Sequence, residues 1–134
     1  MTLETTKQSL EKWHHMIQAG NLSDLNDLLA DDVVFRSPVA YKPYEGKQVV
    51  FFILTNVIQV FENFTYHREF YTEDGENVVL EFSANVSGKS LKGIDMIRFN
   101  EQGKIVDFEV MIRPMSGLAA LAEQMGIRIA KFQP

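Results

Sequence analysis

Two stretches, Asn77–Val86 (NVVLEFSANV) and Leu91–Phe99 (LKGIDMIRF), decide the fold of this chain of 134 residues. Side chains along a strand alternate between two faces. In the first stretch Leu80, Phe82, Ala84 and Val86 share one face, and Glu81, Ser83 and Asn85 share the other. A third run, Lys104–Ile112, repeats the pattern, with Phe108, Val110 and Ile112 opposed to Asp107, Glu109 and Met111. The turn signals SGK at 87–89 and NEQG at 100–103 are short. They predict hairpins, and hence an antiparallel meander with one apolar and one polar face.

The middle strand breaks the alternation at one position. Asp95 falls in phase with Ile97 and Phe99, whereas Ile94, Met96 and Arg98 take the other side. Asp95 is therefore expected to point into the apolar interior. A carboxylate there is costly unless it is paired or protonated, so a raised pKa is expected. Three readings follow: a pocket acid able to donate a hydrogen bond near neutral pH, a structural acid paired with Arg36 or Arg113, or, where a bulge slips the alternation, an acid at a solvated edge.

Upstream of the meander, Phe64–Tyr71 reads as a further strand, bounded by the turn signal EDGE at 73–76. Leu10, Trp13 and Ile17 recur at helical spacing and predict a first helix over 3–17, stopped at Gly20-Asn21. Ser23 stands as an N-cap for a short second helix carrying Leu25, Leu28 and Leu29. Asp31-Asp32 end it, Val33–Phe35 forms a strand, and the segment 39–46 reads as a loop. A third helix spans 47–61, and a terminal turn or two of helix spans 118–125 after Pro114 closes the sheet. Helices followed by a run of strands define an α+β domain, and no linker composition divides the chain.

Composition narrows the function. The net charge of −5 and the scatter of Arg98, Lys104, Arg113, Arg128 and Lys131 give no basic stripe, so no nucleic-acid partner is expected. The absence of cysteine excludes disulfides and thiolate chemistry. The longest apolar run, Val49–Leu54, is too short for a bilayer, and the polar start of the chain lacks the form of a secretion signal. A soluble, cytoplasmic protein with no membrane partner is expected.

The segments QAGNL (18–22), ADDVVFRSP (30–38), YEG (44–46), GIDMIRF (93–99) and GKIV (103–106) resemble the nuclear transport factor 2-like superfamily. Its bacterial members include SnoaL-like polyketide cyclases, ketosteroid isomerases and limonene epoxide hydrolases. The resemblance implies a cone-shaped antiparallel sheet wrapped around helices, commonly a homodimer through the outer sheet face. It places Asp95 at the oxyanion-hole acid of the isomerases, Ser37 at their general base and Trp13 at their oxyanion tyrosine. Ser37 lacks the basicity to take a proton from carbon, so the SnoaL-like cyclases are the better analogy.

The expected catalytic residues are Asp95 and, as a base partner, His14, which flanks the buried stripe of the first helix. The expected ligand wall comprises Trp13, Ser37, Tyr41 (as a lid over the opening or packed at its rim), Phe52 and Leu80. Phe82, Ile97, Phe108, Val110 and Ile112 complete it. No triad of His, Asp and Glu has metal-ligand spacing, so neither metal nor cofactor is expected. Three readings stand: cofactor-free proton transfer on a carbonyl compound, non-catalytic binding of a small hydrophobic molecule, and a dimeric interaction module.

Overall fold

The computed structural model describes residues 3–130; Lys131, read above as solvated surface, lies outside them. Helix α1 spans Leu3–Ala19, followed by a 3-10 turn at Leu25–Asp27. Strands β1 (Leu29–Arg36) and β2 (Tyr44–Glu45) precede helix α2 (Lys47–Val60). Strands β3 (Glu62–Tyr71), β4 (Asn77–Val86), β5 (Lys89–Phe99) and β6 (Ile105–Arg113) follow, and helix α3 (Met115–Ala130) comes last.

The strands form one curved sheet in the order β2-β1-β6-β5-β4-β3. From β3 to β6 it is an antiparallel meander, as the turn chemistry requires. The expectation of a wholly antiparallel sheet is corrected at one seam, where β1 runs parallel to β6 with Phe35 opposite Phe108. Period-two patterning sets which face a strand presents but not its neighbour's direction, and α2 with the meander supplies the long crossover.

Three local expectations are also revised. The second helix is only a 3-10 turn, and Leu29 already belongs to β1. Ser23 caps nothing; its amide instead donates to Asn21 Oδ1, in the manner of an Asx turn. The terminal helix runs for 16 residues, because Gly126 does not interrupt it.

Helix α1 lies across the concave face. Its buried side includes Leu10, Trp13 and Met16 together with two hydroxyls. Thr6 Oγ1 donates to the Gly75 carbonyl at 2.6 Å and Ser9 Oγ to the Gly103 carbonyl at 2.6 Å. The polar atoms of a buried helix face are thereby satisfied by two hairpin turns of the sheet, at no desolvation loss.

Gly93 shapes the concave face beside Asp95. A Cβ there would lie 2.5 Å from the Met111 carbonyl oxygen, 2.7 Å from the Phe82 ring and 2.9 Å from Ile112 Cγ1. The bare backbone lets the Phe82 ring lie on the strand. Gly93→Ala is expected to cost about 1–3 kcal/mol by overpacking, measurable as a lower urea midpoint; an unchanged midpoint would show that the ring has room to move.

On the convex face Glu81 is almost wholly buried. Arg68 holds it bidentately, at 2.8 Å for each bond, and Lys92 adds a contact of 2.9 Å. These hydrogen bonds, Arg68 first, keep its carboxyl well below the usual carboxylate range. Arg36 pairs with Asp107 at 3.2 Å on this face.

Candidate functional site

Inside the cone, α1, α2, α3 and the concave sheet line a cavity of about 40 Å³. Its wall is apolar and rich in aromatic rings, among them Phe35, Phe61, Phe64, Phe82 and Phe108. Packing is tight: the Phe64 and Phe82 rings stack at 5.0 Å, and Trp13 tilts against Phe108 at 5.4 Å.

One acid breaks this wall. Asp95 sits mid-strand between Leu80 on β4 and Val110 on β6, and it is 5% exposed. Tyr66, reaching across from the edge strand β3, donates its hydroxyl to Asp95 Oδ2 at 2.6 Å. The Trp13 indole N–H in turn donates to the Tyr66 hydroxyl oxygen at 2.9 Å. A chain of two hydrogen bonds thus runs from α1 through β3 to β5. Each polar group of the aromatic pair has its partner, as buried Trp and Tyr require.

The electrostatics follow from this enclosure. Burial pushes the Asp95 carboxyl from 3.8 up to about 7, while the Tyr66 hydroxyl pulls it back. Tyr66 is held well above its ordinary value, first by burial and then by the adjacent Asp95. The phenolic proton therefore stays on Tyr66 and points at Oδ2. Among the described residues Asp95 has no cationic partner: Arg36 is engaged by Asp107, and Arg113 lies exposed at the end of β6. The structural ion pairs considered from the sequence do not form.

The structure brings Trp13, Phe82, Asp95, Phe108, Val110 and Ile112 together on the cavity wall. It places the other expected residues elsewhere. Leu80 and Ile97 share the concave face but are packed into the core, with 0% and 2% exposure. Alternation assigns a face, not a depth along it. Phe52 is half-buried on α2, away from the wall. Tyr41 is fully exposed and forms no lid. Ser37 Oγ accepts from the Val39 amide at 3.1 Å, leaving Pro38 to line the cavity.

His14, expected as a base partner, turns away from the acid. Its Nε2 meets Glu69 Oε1, and its ring stands edge-on to Tyr66 at 5.1 Å. The cause is a bulge in β3: pairing shifts between Tyr66 and Glu69, which brings Glu69 round to face α1. Tyr66 is the residue that sequence reasoning missed. The Phe64-x-Tyr66 alternation carried the signal, since a tyrosine on an apolar face needs a partner for its hydroxyl.

A cone of three helices and a curved, unclosed, mixed sheet, with a buried acid among aromatic rings, defines an α+β cone fold. The chain matches the SnoaL-like domain family over residues 10–108, and it belongs to that family, within the nuclear transport factor 2-like superfamily. The crystal structure of a steroid delta-isomerase from Pseudomonas aeruginosa is 56% identical, with a TM-score of 0.94 over 96% of this chain and 93% of that one. An uncharacterized bacterial protein with a cystatin-like fold, from Silicibacter pomeroyi, is 35% identical, with a TM-score of 0.84 over 91% of this chain and 85% of that one. A nuclear transport factor 2-like protein of unknown function from Mesorhizobium loti shares the fold at 17% identity and a TM-score of 0.73, over 83% of this chain and 93% of that one. No curated protein matches. Among the described residues no helix is long and apolar enough to cross a membrane.

Proposed function

We propose that this chain binds a small, neutral, apolar molecule inside the cone and offers it the protonated carboxyl of Asp95 as a hydrogen-bond donor. The observation that carries this reading is the bonding of Asp95. Tyr66 occupies Oδ2, so the acid's own proton is free to sit on Oδ1. A ligand with one acceptor, such as a ketone, would satisfy it. A carboxylate would face a buried acid with no cation beside it, and its desolvation would oppose binding.

Three related naphthalenes test this, with the fluorescence of Trp13, the sole tryptophan, as the readout. Below pH 7, acetylnaphthalene is expected to bind up to about tenfold more tightly than ethylnaphthalene, the worth of one hydrogen bond; naphthoate is expected to bind least. Asp95→Leu should erase the difference between ketone and hydrocarbon. Equal affinities in the wild-type protein would sink the proposal.

Catalysis is the second reading, and the isomerase relative favours it. Proton transfer on carbon needs a base near the carbonyl's neighbour. Ser37 and His14 are both occupied elsewhere, which leaves Asp95 itself, ionised above pH 7, as the acid/base group of this wall. Isomerisation of an unsaturated ketosteroid by the wild type, lost in Asp95→Asn, would establish turnover; its absence would leave binding alone. We also read the convex face, where Met96 and Met111 are exposed among charged neighbours, as a homodimer contact. Sedimentation at micromolar concentration checks it, and a monomer there rules it out.

A further inference from the structure

We infer that α3 is a hinged lid over the cavity, latched shut by Arg128, and that ligand is admitted by its displacement. The inference builds on the pocket reading above but has a readout of its own.

The first observation is one of size. A cavity of about 40 Å³ holds a few waters at most. Sites for small organic molecules run to roughly 300–1,000 Å³. Any organic ligand therefore requires part of the wall to move. The sheet wall is tied strand to strand by backbone hydrogen bonds from β3 to β6. Helix α1 is bolted to two hairpin turns through Thr6 and Ser9. Neither can swing without breaking buried hydrogen bonds.

Helix α3 is attached differently. It joins β6 through Pro114 alone and contributes Leu121 to the cavity wall. Gly117, Leu121 and Met125 form its buried stripe, while Met115 and Ile127 near its two ends stand exposed. Its seat on β5 is close at Gly117, where an added Cβ would lie 2.7 Å from Leu91 Cβ and 2.9 Å from the Ser90 carbonyl oxygen, so any larger residue there would lift the helix.

The polar tie lies at the far end from the hinge. Arg128 Nε donates to Asn56 Oδ1 at 3.1 Å, and its Nη2 contacts Gln59 Oε1. Asn56 is itself fixed, its amide donating to the Phe52 carbonyl at 2.8 Å. The latch thus closes on α2, whose Leu54, Val57 and Ile58 also line the cavity. A short connection at one end and a clasp of two side-chain hydrogen bonds at the other, one part-buried and one exposed, make α3 the wall element that opens at least cost.

Hydrogen exchange on the whole, ligand-free chain tests this directly, with two variants that loosen the lid at opposite ends. Arg128→Ala removes the latch. Gly117→Ala lifts the seat, although alanine is the better helix former. Amides of residues 118–128 are expected to exchange in an opening that leaves β4 and β5 protected, and to do so about tenfold faster in each variant. The association rate of acetylnaphthalene should rise by a similar factor, with little change in its Kd. If 118–128 exchange only in step with β5 in all three proteins, α3 is a fixed part of the core and the inference fails. Faster exchange with an unaltered association rate also overturns it, since ligand then enters elsewhere. Should acetylnaphthalene not bind at all, the pocket reading falls, while exchange still decides whether α3 opens.

Discussion

Between about pH 5 and pH 8 the unfolding free energy of the wild-type chain is expected to fall by about 2–3 kcal/mol through Asp95 alone, and Asp95→Asn should abolish that fall. In the unfolded chain this carboxyl titrates at its ordinary value of 3.8; in the folded protein burial raises it to about 7. Between these values the folded state holds a proton that the unfolded state has lost. The stability present at low pH is therefore lost as the pH rises, and the loss is complete just above pH 7, where it amounts to about 4 kcal/mol in all. Tyr66 is held high and stays protonated throughout this window. Glu81 acts in the opposite sense. Its depressed pKa contributes stability above the ordinary carboxylate range that is lost as the pH falls. Between these two groups stability should thus peak near the ordinary carboxylate values, at about pH 4, with Glu81 governing the acid limb and Asp95 the other. Urea titrations of both proteins at fixed ionic strength measure this. Parallel pH profiles for wild type and Asp95→Asn would mean that the acid is not desolvated.

Phe82→Ala is expected to destabilise the protein by about 3–5 kcal/mol, the range for emptying a buried aromatic site. The ring is 1% exposed. It stacks on Phe64 and lies within 5.7 Å of Phe61 and 6.4 Å of Tyr66, centroid to centroid. On its other side it rests against Gly93, where no side chain can follow it into the void. The lost ring would leave an apolar hole beside Asp95 that collapses poorly. Benzene should refill it, raising the Tm of the variant but not that of the wild type. A cost under about 1 kcal/mol would show that the chamber repacks freely, contrary to the tight ring contacts.

Much of the fold was legible because its signals are local. Alternation in 77–86, 91–99 and 104–112 set the inward faces, and the turn residues set the hairpins. The inward phase of Asp95 was legible for the same reason. The strand β2 was hidden, since two residues, Tyr44 and Glu45, carry no period. The length of α3 was hidden as well: Gly126 reads as a stop, yet it lies in open space and the helix passes through it.

The candidate site was less legible, because its polar chain joins residues far apart in sequence. Trp13, Tyr66 and Asp95 come from α1, β3 and β5. Nothing local to any of them names the other two. The expectation for His14 rested on a helix face, that for Ser37 on the family resemblance, and that for Tyr41 on a loop. A bulge in β3, a backbone amide at Val39 and open solvent respectively drew those side chains away.

The sequence by itself determined that a single carboxyl, Asp95, would face an apolar interior, since successive side chains alternate faces along any extended strand. Only the tertiary structure decided what that acid meets there. Curvature brings the edge strand and the first helix within 3 Å contacts, so Tyr66 and Trp13 take one side of the carboxyl and no cation takes the other. Desolvation grows with the depth of enclosure, which only the folded cone supplies.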